Sequence, residues 1–146
     1  MFDSFYEFYQ RDLTKLEEEV LAFPDDDALW KIIGQVSNSG GNLALHLCGN
    51  LNHFIGAVLG NTGYVRERDK EFNTKGLSRQ EVASEIRTCR ETVLQILGSL
   101  KGTDVNIPYP VKVFDRDMTI GHFIMHLLGH LSYHLGQINY LRRVLG

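Results

Sequence analysis

Four histidines stand four residues apart near the end of the chain, His122, His126, His130 and His134, within the stretch GHFIMHLLGHLSYHLGQ. On a helix, residues i and i+4 project side by side. His130 and His134 can therefore offer two imidazoles to one metal ion, the device used by H-E-x-x-H zinc sites. No glutamate lies between them, so the general base of that zinc-protease motif is missing. A third imidazole from a neighbouring helix would make a three-ligand site with one position open to water or substrate. The alternative is structural: imidazoles at the edge of a core, hydrogen-bonded to neighbours.

A helical wheel sorts the series. With His130 at zero, Leu141 and Phe123 fall near about 20°, His134 near about 40°, and Ile138, Leu131, Ile124 and Leu135 between roughly 80° and 140°. His130 and His134 thus face the apolar stripe, while His126 and His122 drift out to its rim. The segment NLALHLCGNLNHFIG brings His46 to a matching edge. Asn50 lies one turn after His46 inside an apolar stripe, and Gln137 lies three residues after His134. Each can orient a ligand imidazole, touch a bound water or substrate, or hold a helix contact. His53 is either a rim residue, a donor to a ligand, or a competitor for the third ligand position. Arg66, in the charged stretch TGYVRERDKEF, is a candidate for binding an anionic substrate, against the alternative of a solvated loop with internal salt bridges. Cys48 points away from His46, and Cys89 sits in an apolar seam, so neither reads as a nucleophile.

These residues need helices to hold them. Phe2, Phe5, Tyr6, Tyr9, Leu13, Leu16 and Val20 repeat at helical spacing up to Pro24. DDDALWKI reads as a short helical turn with Asp27 as its N-cap. A second helix is expected from about Asn42 to Leu59, followed by a polar loop over 60–77. Ser78 and Glu81 form a capping-box pattern for a third helix. Its seam of Val82, Ile86, Cys89, Val93, Ile96 and Leu100 alternates by four and three. Pro108 and Pro110 exclude helix from a second long connection, where PVKVFD can form at most a short strand. Thr119 caps the last and longest helix, which carries the histidine series. The sum is an all-α chain forming one domain over 1–146, an antiparallel four-helix bundle with a long connection before the last helix.

Composition narrows the classes. The chain has 43% hydrophobic and 23% charged residues and a formal net charge of −3. No basic block marks a nucleic-acid surface. No uninterrupted run of about 18 apolar residues occurs, so no membrane span is expected. The N-terminus lacks the basic segment of a signal peptide. Two cysteines without a CxxC pair read as free thiols in a reducing cytoplasm.

The stretch GHLSYHLGQINYLRR resembles the final helix of the DinB-like four-helix-bundle superfamily, which ends in H-x-x-x-H-x-G-Q. Here that pattern is His130, His134, Gly136 and Gln137, and His46 stands where the family places its other metal histidine. Helix order, length and the long final connection also agree, so the resemblance covers essentially the whole chain. It implies a divalent metal, nickel or zinc, on three histidines. It also implies a homodimer and a small-molecule substrate, with transfer of a low-molecular-weight thiol such as bacillithiol or mycothiol as the leading activity. For a homodimer, the face of the last helix carrying Gly121, Met125, Gly129, Ser132, Gly136 and Asn139 offers close approach. A metal-dependent hydrolase and a non-catalytic stress-response or binding bundle with structural histidines are the competing readings. The sequence assigns no catalytic residue.

Overall fold

Three of the helices begin at a side chain that replaces a missing backbone partner. In the computed structural model, which describes residues 1–146, α1 spans Phe2–Leu21, α2 Gly40–Gly60, α3 Arg68–Asn73, α4 Arg79–Ser99 and α5 Ile120–Leu145. Ser39 caps α2 through the Asn42 amide. Ser78 and Glu81 form the full capping box of α4, and Thr119 caps α5 through the His122 amide. The expected Asp27 cap is not used. Asp27 has helical backbone angles and no capping bond; instead the Asp25 carboxylate accepts from the Ala28 amide at 2.7 Å.

Going round the bundle the order is α1, α4, α2, α5, with α1 diagonal to α2 and α4 diagonal to α5. Both diagonal crossings need long connections, which are residues 22–39 and 100–119. The pairs α1/α4 and α2/α5 run antiparallel: Asp3 of α1 meets Lys101 just beyond the end of α4, and Phe54 near the end of α2 meets Phe123 near the start of α5. The two pairs lie side by side, so α1 and α5 run parallel, with Tyr9 bonded to the Ile124 carbonyl and Glu19 to Asn139. The core between them is continuous, from Leu13 and Leu16 through Leu47 and Leu51 to Ile86, Val93, Ile124 and Leu131, all fully buried. The most apolar stretch of α2 is 61% buried among the other helices, although its length and composition alone would suit a membrane span.

Two further features differ from the sequence expectation. The expected polar loop over 60–77 contains α3, a six-residue helix. Such a short polar segment has little helix-forming tendency of its own, and here tertiary contacts hold it. Asn42, buried in α2, donates from its amide nitrogen to the carbonyls of Glu71 at 3.0 Å and Thr74 at 2.8 Å. The PVKVFD segment forms no ladder; isolated bridges join Val113 to Arg116 and Pro108 to Thr119. The turn between Val113 and Arg116 puts Phe114 and Asp115 at φ 55° and 54°, angles that glycine and asparagine adopt far more readily.

α2 also contains a π-helical turn at Asn52–Ala57. A π turn breaks the regular i to i−4 ladder, and the Tyr109 hydroxyl donates to the Phe54 carbonyl at 2.6 Å. This bond ties the long 100–119 connection to the far end of the helix that carries His46. At the other end of the bundle, buried Glu19 receives hydrogen bonds from Asn139 at 2.8 Å and from Arg142. Burial alone would raise the Glu19 carboxyl, but these bonds outweigh it and hold the group below the usual carboxylate range. They fix α5 in register against α1. Glu19→Ala should therefore destabilise the fold by about 2 kcal/mol, the scale of hydrogen bonds to a charged group. Urea unfolding checks this, with a lower midpoint and an unchanged slope as the expected result.

Candidate metal centre

Because α2 and α5 are neighbours in the ring, their histidine edges meet. The His46 and His130 Nε2 atoms lie 3.1 Å apart. The His46 ring centroid is 5.4 Å from that of His134, and the His130 and His134 centroids are 4.6 Å apart. One nitrogen from each ring falls within 4.8 Å of the others. Two metal–nitrogen bonds of about 2.0–2.1 Å at a tetrahedral angle separate their nitrogens by about 3.3 Å, so the donor set fits a small divalent cation.

The opposite ring nitrogens are held as well. His46 Nδ1 donates to Glu71 Oε1 at 3.0 Å, and His134 Nδ1 donates to Gln137 Oε1 at 2.6 Å. Each bond places the proton on Nδ1 and leaves the Nε2 lone pair directed to the centre. This is the usual outer support of a metal-ligating imidazole. His130 Nδ1 is buried with no partner. Burial, aided by the neighbouring His134 and His46, lowers the His130 pKa to about 4. Burial also lowers that of His134, against the raising effect of Gln137. Both are therefore neutral at pH 7, the state that coordinates metal.

Glu71 was not singled out by the sequence, yet it organises one side of the centre. It sits at 6% exposure and accepts from Arg66 as well as from His46. Arg66 Nε approaches Oε2 at 2.9 Å and a terminal guanidinium nitrogen approaches Oε1 at 3.0 Å. Burial pushes the Glu71 carboxyl up, but the bonds from His46 and Arg66 prevail and its pKa falls. Phe72 packs on the His46 ring at 4.8 Å between centroids. Gly49, three residues after His46, makes room: a Cβ there would stand 1.9 Å from Glu71 Oε2. A glycine inside an apolar helix signals close approach, and it is the one trace of Glu71 in the sequence. Within the six consecutive charged residues from Arg66 to Glu71, nothing else distinguishes that carboxylate.

The other candidates fall as follows. Gln137 orients His134. Arg66 engages Glu71 through two nitrogens, so its role here is inside the protein. Asn50 is 8% exposed and its Oδ1 is buried without a partner, one turn along α2 from His46. His53 stays outside the three-histidine group; its ring packs on Phe54 at 4.7 Å, and burial with the Arg66 charge lowers its pKa. His126 stacks on Phe123 at 5.8 Å and meets Phe114 at 5.2 Å, also outside the group, and His122 is exposed. Cys89 Sγ lies 3.9 Å from the Cys48 carbonyl, and both thiols are buried.

The bundle, with its long connection before the last helix, has the fold of a DinB-like protein. The crystal structure of a DinB-like protein from Bacillus cereus superposes with a TM-score of 0.73 at 18% identity, over 97% of this chain and 90% of that one. Residues 4–146 match the family described as "Protein of unknown function (DUF1572)", and the chain belongs to that DinB-like family. No curated protein matches the sequence.

Two outcomes follow from the Glu71 geometry and the neutral imidazoles. Glu71→Gln, and independently Gly49→Ala, should weaken divalent-metal affinity by about 10- to 100-fold, the usual loss when a partner behind a ligand is removed; competition with a chromogenic chelator measures it. The second concerns pH in metal-free protein. As pH falls from the ordinary histidine value of 6.5 towards about 4, the unfolded chain binds protons that folded His130 resists. Stability must therefore fall across that window. Further loss follows below the ordinary value of 4.5 as Glu19 and Glu71, whose folded pKa values are lowered, take up protons. Urea midpoints from pH 7.5 to 4.5 should decline in the wild type and decline less in His130→Asn.

Proposed function

We propose that the protein is a metal-dependent enzyme that holds one divalent cation, nickel or zinc, on His46, His130 and His134 and transfers a low-molecular-weight thiol to a small electrophile. The observation that carries this reading is the convergence of three imidazoles, two of them oriented from behind by Glu71 and Gln137. A bound cation would keep a thiol sulfur as thiolate near neutral pH. In such a transfer the thiol proton goes to solvent, and the sulfur forms a bond to the electrophilic carbon. The leaving group then departs with the electron pair of the bond that breaks. The chain's own part is to keep His130 and His134 neutral and to hold the His46 and His134 rings from behind. Glu71 is held by both His46 and Arg66 behind the ligand ring, so it is not free to act as base on a water. That favours thiol transfer over hydrolysis. We place the protein in the cytoplasm, where the free Cys48 and Cys89 stay reduced.

The same reading includes a homodimer through α5. Of the six small or flexible residues on its outer face, Gly121 packs against Val105 and Asn139 bonds to Glu19. Gly129 and Gly136 have open space where a Cβ would stand, and Met125 and Ser132 are exposed beside them. A partner helix can approach closely there.

Untagged protein purified without added metal should carry one equivalent of cation per chain by elemental analysis. His46→Ala, His130→Ala and His134→Ala should each lose it, while His122→Ala and His126→Ala keep it. Loss on His53→Ala with retention on His46→Ala would move the third ligand seven residues along α2. A protein that binds no metal leaves the histidines structural. Thiol conjugation to a chromogenic electrophile should require the cation. Light scattering on the same samples should give twice the 16.6 kDa chain mass.

A further inference from the structure

A second feature opens directly off His134. Residues 33–38, in the connection before α2, stand away from the C-terminal half of α5 and leave a groove of about 590 Å³. That volume lies in the range of small-molecule sites. Its floor is apolar, formed by Leu43 and Leu141, both nearly buried. One wall is α5 itself, from His134 through Gln137 to Val144. Ten residues separate His134 from Val144, so the groove extends about 15 Å along the helix, with the metal-binding edge at one end.

The lining identifies the ligand class. None of its side chains is a lysine, arginine, aspartate or glutamate. Arg142 is turned away to Glu19, and Arg143, which is not a lining residue, is engaged over the ring of Tyr140 at 5.4 Å. Arg66, the anion-binding candidate of the sequence, is not among the lining residues. A charged ligand would leave water here without a partner, at a cost that burial makes large. Two aromatic rings instead stand proud of the wall: Tyr133 is 65% and Tyr140 69% exposed. Tyr133 is set edge-on to His134 at 5.3 Å, so a flat group bound against it reaches the ligand histidine. Besides His134 and the two tyrosine hydroxyls, polar contacts come from uncharged groups, Gln35, Ser37, Asn38 and Gln137, and Gln137 already holds His134 through its Oε1.

We infer that this groove binds an uncharged, largely apolar and preferably aromatic small molecule, with one end against His134, and that this is the electrophile's site. Its meaning as a substrate site rests on the metal-dependent transfer proposed above; its existence as a binding site does not.

The test uses an unreactive probe, 1,3-dinitrobenzene, and its anionic counterpart, 3,5-dinitrobenzoate, titrated into full-length protein and followed by amide and methyl NMR. The neutral probe should shift Val36, Gln137, Leu141 and Val144. The anion should bind about tenfold or more weakly, a difference of about 1.4 kcal/mol. Val144→Glu, at an exposed position that tolerates charge, should weaken the neutral probe by a similar factor and leave metal content unchanged. Shifts that map elsewhere, equal binding of the anion, or no shift at millimolar probe would overturn the inference while leaving the metal centre standing. Probe binding in the groove of a protein that takes up no metal would instead sink the enzyme reading and keep the groove. Light scattering accompanies each sample. If Val144→Glu converts a dimer to a monomer and no probe binds the wild type, a second copy covers the groove and the inference fails.

Discussion

A buried carboxylate with three hydrogen-bond donors sets the geometry of this protein's candidate centre. Glu71 meets His46 and a bidentate Arg66, and it does so at a position where an isolated charge would be strongly unfavourable. The arrangement holds because each participant compensates for another. Arg66 balances the charge, Glu71 fixes the proton on the His46 Nδ1, and Gly49 leaves the space the carboxylate occupies. The short α3 exists for the same reason. Asn42, one turn before His46 on α2, grips its backbone carbonyls, so a single turn-and-a-half of α2 carries both the ligand and the clamp that brings its orienting carboxylate.

The bundle's ring order turns this local constraint into a site. With α2 beside α5, His46 faces His130 and His134; with α2 diagonal to α1, the hydrophobic face of α1 closes the core without intruding on the histidines. The long connections that such an order demands supply function-bearing surface as well. The 22–39 connection forms the far wall of the groove beside His134, and the 61–78 connection delivers Arg66 and Glu71. Loops placed by a rigid scaffold commonly carry such roles.

Burial gives the imidazoles their readiness and also their weakness. Desolvation and mutual repulsion keep His130 neutral, which suits a cation and opposes a proton. The groove that opens from His134 has no acidic or basic side chain in its lining, whereas Lys70, Glu71 and Glu85 are among the residues lining a separate cavity beside Gly49.

Much of this was legible in the chain. Apolar spacing determined the four long helices, because amphipathic periodicity is written in the order of residues. Ser78 with Glu81, and Thr119, marked two helix starts through hydrogen bonds that span only three residues. The i, i+4 pair of His130 and His134 and the edge position of His46 followed from the helical repeat alone. Tertiary structure decided what no local pattern encodes. It selected Glu71 from a run of similar charges, settled Arg66 on an internal salt bridge rather than a free anion-binding position, and folded α3 from a segment too short to be helical by itself. It also determined that Asp25 rather than Asp27 caps the turn before Lys31, and that a groove free of charge adjoins His134. The physical reason is one of range. Helix periodicity and capping act over three or four residues, whereas a carboxylate chosen by an imidazole twenty-five positions away is specified only when two helices and a loop have packed together.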